Sequence, residues 1–75
     1  MDKTQQEAAV KLFFWACKKE GETTAYMMAA RKAGNNIADC RLQKIRCYYR
    51  IYANALADGY KAVGFDVRAA LKAMV

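Results

Sequence analysis

Apolar positions recur every three or four residues along most of the chain, and proline is absent. That pattern predicts an all-α protein. In the first segment Ala9, Leu12, Phe13 and Ala16 fall on one side of a helix. Thr4 and Glu7 have the spacing of a capping box and Gly21 stands as a breaker, so a helix is expected over 4–19. A second, short helix is predicted over 24–33, opened by Thr23 or Thr24 and closed by Gly34. The third and longest is predicted over 37–57, capped by Asn36 and stopped by Asp58 and Gly59. Its apolar seam is Ala38, Leu42, Ile45, Tyr49, Tyr52 and Leu56. Asp39, Gln43, Arg46, Arg50 and Asn54 form a polar stripe opposite, with Arg41, Lys44 and Tyr48 on a strip between the two. Asp66 caps a last helix over 66–74, whose apolar face is Val67, Ala70, Leu71 and Met74, while 60–63 reads as a helical turn or an extended connection. The expected architecture is one domain, residues 1–75, folded as a small bundle of three to four helices with the long third helix at its centre.

Size and composition restrict what such a bundle does. A chain of 75 residues buries a small core and commonly gains stability from a partner subunit, so a homodimer is expected. Of the three cysteines, Cys40 and Cys47 lie on one helix, about 10 Å apart along its axis and beyond disulfide reach. With a polar N-terminal segment in place of a secretory leader, the thiols are expected to be reduced, packed as small hydrophobes, in a cytoplasmic setting. No stretch approaches the roughly 18 apolar residues of a membrane span. Histidine is absent and the carboxylates are scattered, which removes the usual general base and the paired acids. Lys18 and Lys19 adjoin Cys17 but diverge from it around the helix, and the glycines are isolated, so no phosphate-cradling loop is present. The reading is a non-enzyme, with no metal site and no cofactor.

Charge narrows the class of partner. The net charge is +6, and the first 22 residues contribute none of it, since four lysines are offset by Asp2, Glu7, Glu20 and Glu22. The excess is densest at Arg31, Lys32, Arg41, Lys44, Arg46 and Arg50, opposed only by Asp39. Such a surface favours nucleic acid or an acidic protein face. The segment from Tyr26 to Arg50 resembles a helix-turn-helix DNA-binding unit: Ala30 is the small residue before the turn at Gly34, and Cys40 stands where an apolar anchor is expected. The resemblance implies a small nucleic-acid-binding regulator, of the kind carried by phages and plasmids. Arg31, Lys32, Arg41, Gln43, Lys44, Arg46 and Arg50 would be its contact residues. Asn35 after the glycine, the offset of Leu42 and the length of the third helix depart from that pattern. Arg41, Lys44 and Tyr48 also form a strip on which a base can stack.

The alternative is a protein-interaction module, such as a small inhibitor that blocks a host enzyme or a defence complex. Val10, Phe14 and Trp15 lie on a face expected to be polar and, with Tyr48, form a candidate interface. A third expectation is an oligomer that sequesters an anionic nucleotide.

Overall fold

The computed structural model describes residues 1–74 as an all-α domain of three helices, α1 (Lys3–Lys32), α2 (Asn36–Ala62) and α3 (Val67–Met74). The two helices expected over 4–19 and 24–33 are one helix of 30 residues. Gly21 does not break it. An interior glycine costs only about 1 kcal/mol, and the inward positions Ala9, Phe13, Ala16, Glu20, Thr23, Met27 and Ala30 keep a four–three repeat straight through it. A break would throw the second half of that seam out of phase. The capping box is formed by Asp2 and Gln5 rather than Thr4 and Glu7: Gln5 N donates to Asp2 Oδ1 at 2.8 Å and Asp2 N donates to Gln5 Oε1 at 3.0 Å.

Gly21 is exposed, and a methyl group added there meets nothing within 4 Å. Gly21→Ala is therefore expected to stabilise the fold by about 1 kcal/mol and to raise Tm by about 4–8 °C for a domain of this size. Thermal melting by far-UV circular dichroism checks this; a lowered Tm would mean that α1 needs the glycine's backbone freedom.

The chain reverses through Ala33, Gly34 and Asn35. Gly34 adopts φ 73°, Asn35 N donates to Ala30 O and Gly34 N donates to Arg31 O, which together close α1 with a Schellman motif. Asn35, not Asn36, then caps α2, its Oδ1 accepting from Ala38 N at 3.1 Å. The same device ends α2. Helix α2 continues past Asp58 and Gly59 to Ala62, Gly64 takes φ 85°, and Phe65 N and Gly64 N donate to Tyr60 O and Lys61 O. The accompanying hydrophobic contact is Tyr60 edge-on to Phe65. Asp66 caps α3 as expected, accepting from Ala69 N.

Helices α1 and α2 form an antiparallel hairpin. Arg31 meets Asp39 beside the turn, Trp15 meets Tyr49 and Tyr52 further along, and Phe13 shares a cluster with Ala53 and Ala57 near the open end. Only a nearly parallel pair of axes sustains contact over that length. At the open end Val10, Phe13, Ala16, Ala53, Ala57 and Val67 are the buried core. Ala16 and Ala53 let the two backbones approach, and α3 lies across them. Arg68 of α3 stands 5.7 Å above the Phe13 ring and donates to Asn54 Oδ1 at 2.8 Å, joining all three helices.

Helix α3 is short, so it covers only that end. Towards the turn the hairpin continues as a two-helix stalk, which gives the molecule its 48 × 23 × 15 Å outline. The long helix is thus one arm of a pair rather than a central rod. Its inward side also differs from the expected seam. Ala38, Leu42, Tyr49, Tyr52 and Leu56 are partly buried there, but Ile45 is exposed and Arg46 takes its place, with Ala53, Ala57 and Tyr60 completing the row.

Candidate functional site

The helix-turn-helix resemblance does not survive as geometry. Its first helix is the last third of α1, and the turn is a hairpin reversal. A helix-turn-helix crosses its helices at about 90–120°. Ala30 is half-buried against α2, which fits a close approach, but Cys40 is exposed and anchors nothing.

The basic residues divide into three groups. Arg31 is held internally, its Nε and Nη2 donating to Asp39 Oδ2 and Oδ1 at 3.2 and 3.3 Å. That hydrogen bond and the Asp39 charge raise its pKa further above the ordinary arginine value. Gln43 donates to the same carboxylate at 3.4 Å. Arg46 differs from the fully exposed cations. It is half-buried, its Nε is closed to solvent, and among the described residues no acceptor lies within hydrogen-bond reach of that atom. With the turn centred on Gly34 and Asn35, Arg46 stands level with buried Thr23, whose hydroxyl donates to its own helix at Lys19 O. Lys32, Arg41, Lys44 and Arg50 are exposed and form no ion pair among the described residues. The fully exposed basic stripe is therefore smaller than the sequence suggests, and Arg46 belongs to it only in part.

The expected interface of Val10, Phe14, Trp15 and Tyr48 also separates. Val10 is core, 6% exposed. Phe14 is half exposed and lines a shallow groove between α1 and α3 with Lys11, Leu71 and Met74. Trp15 turns the other way. It meets Tyr49 and Tyr52 edge-on at centroid distances of 5.9 and 6.5 Å, and Tyr48 lies edge-on to Tyr49 and parallel to Tyr52. Four aromatic side chains thus form a continuous cluster on one side of the hairpin. Trp15 is 44% and Tyr48 65% exposed, while Tyr49 and Tyr52 are partly buried beneath them. Edge-to-face packing holds the rings in fixed orientations, each such pair adding about 0.5–1.5 kcal/mol. The cluster is a preformed surface rather than a set of loose side chains.

Beside it runs a shallow, open groove between side chains on the outward face of α2, lined by Cys40, Gln43, Lys44, Cys47, Tyr48 and Ile51. The sequence reading placed Cys40 and Cys47 among core residues, but both thiols are free and exposed. The legible signal was a second four–three repeat: Ile37, Cys40, Lys44, Cys47 and Ile51 form a seam on the side of α2 away from α1. Cys17 is the one thiol partly covered by the fold, packed against the core. Burial and then the charge of Glu20 raise its pKa, against a smaller lowering by Arg68.

Comparison of the chain with protein-family models, with curated proteins and with solved structures finds no match.

Proposed function

We propose that this protein is a non-catalytic capture module that acts by occupying the surface of another protein, as an inhibitor or an adaptor. The observation that carries the reading is the aromatic cluster of Trp15, Tyr48, Tyr49 and Tyr52, in which Trp15 and Tyr48 are open to solvent and rest on the partly buried Tyr49 and Tyr52. Binding energy at protein interfaces concentrates in Trp, Tyr and Arg side chains. Here Arg41 lies on the same strip of α2, one and two turns before Ile45 and Tyr48. Exposed Ile45 extends the apolar area. A chain without histidine and with dispersed carboxylates has little else to offer a substrate.

The test is affinity capture from a lysate of the source cell, with and without nuclease. Protein capture is expected to withstand nuclease and to fall at least tenfold, roughly the loss of one hot-spot residue, in Trp15→Ala, with the helical signal unchanged. Capture abolished by nuclease, or indifferent to Trp15, would overturn the proposal.

A second reading, nucleic-acid binding, is favoured by the unpaired charges of Lys32, Arg41, Lys44 and Arg50. It requires contact through a helix face rather than through a helix-turn-helix. It also requires steep weakening with salt as counterions are released, so the nuclease arm decides between the two.

A further inference from the structure

The α2 groove assigns a class of partner. We infer that it docks an acidic amphipathic helix of another protein, a deepening that rests on the capture reading above.

Its shape comes first. Cys40, Gln43, Lys44, Cys47, Tyr48 and Ile51 recur at one-turn steps along a single helix, so the groove follows the helix axis for about three turns. The complement of such a groove is a second helix laid alongside, with its own apolar seam at three- and four-residue spacing. Ile51 is 69% exposed, and among the described residues no other element reaches this face, because α1 packs on the opposite side and α3 lies at the far end.

Charge then selects the occupant. From Cys40 to Ala57, α2 carries Arg41, Lys44, Arg46 and Arg50 and no carboxylate. Lys44 lies within the groove, with exposed Arg41 and Arg50 on its two flanks. A second copy of the chain would set these cations against their own counterparts, and like charges at close range disfavour the pair. Nucleic acid would satisfy the cations but leave Cys40, Cys47 and Ile51 facing phosphates. A helix with an apolar seam and Glu or Asp along its edges satisfies both features.

The test uses the full chain and three synthetic peptides of about 18 residues that share one leucine seam and carry Glu, Gln or Lys at the flanking positions. The Glu peptide is expected to shift the backbone amide resonances of Cys40, Lys44, Cys47, Tyr48 and Ile51. It is expected to bind about tenfold more tightly than the Gln peptide, as two rim ion pairs give, and the Lys peptide more weakly still. The double variant Lys44→Glu and Arg50→Glu, both exposed positions, is expected to reverse that order. Equal affinity for the three peptides overturns the inference. So does perturbation confined to Phe14 and Leu71, self-association that shifts the same resonances, or displacement of the Glu peptide by a short DNA duplex. Loss of peptide selectivity while Trp15-dependent protein capture persists removes the acidic-helix assignment alone. Loss of both removes the capture reading as well.

Discussion

Replacing Phe13 by alanine is expected to remove a large part of the stability of the fold. The ring is 5% exposed, belongs to the cluster of Val10, Ala16, Ala53, Ala57 and Val67, and carries Arg68 above its face. Removing a buried phenyl costs about 3–5 kcal/mol, partly in lost transfer energy and partly in the cavity left behind. Domains of this length hold roughly 0.05–0.15 kcal/mol per residue, so a single side chain accounts for much of the total. The buried neighbours Ala16, Ala53 and Ala57 are too small to fill the space. The neighbouring Phe14→Ala, at a half-exposed ring, is expected to cost less than about 1 kcal/mol. Urea titrations of the two variants, read by circular dichroism, check the contrast. Equal losses would mean that α1 is rotated from the face described.

Arg46→Met is expected to act in the other direction, stabilising the fold by about 1–3 kcal/mol, the desolvation cost of a buried donor left without an acceptor. That corresponds to a rise in Tm of roughly 4–24 °C. Arg46 Nε is closed to solvent with no acceptor among the described residues, and the nearby Thr23 hydroxyl is committed to the Lys19 carbonyl. Methionine keeps an unbranched stem that fills the same path between the helices and brings no donor. Alanine is a poorer choice, because it also removes the packing of the arginine's methylenes. Differential scanning calorimetry across this pair reads the effect. A lowered Tm in Arg46→Met would show that the guanidinium is paired in solution, and Glu20, one turn of α1 before Thr23, would be the first carboxylate to test.

The all-α class, the cap at Asp66 and the reversal at Gly34 were legible in the sequence because each depends on local chemistry: helix period, an Asx cap, and a glycine where the chain turns left-handed. The continuity of α1 was less legible. Gly21 carries a breaker's local signal, and what overrides it is long-range, the in-phase packing of Ala16, Thr23 and Met27 along α2. Arg46 failed for a related reason. A search for apolar positions chooses Ile45, in a four–three repeat that starts at Ala38, whereas the side facing α1 follows the same repeat in another phase, through Asp39, Leu42, Arg46, Tyr49, Ala53, Leu56 and Tyr60, and accepts whatever residue falls on it. The candidate surface was half readable. Trp15 and Tyr48 were singled out, but their union with Tyr49 and Tyr52 depends on the register of the hairpin, and Phe14 and Trp15, adjacent in sequence, serve different flanks of the buried stripe of α1. The groove of Cys40, Cys47 and Ile51 was hidden because cysteine was counted as core by default.

The stalk is two helices thick where a stable helical domain ordinarily has three. A helix arriving there adds a missing layer to a half-finished bundle. Such binding carries the thermodynamic mark of burying apolar surface, a pronounced fall in heat capacity that makes the enthalpy of association increasingly favourable on warming.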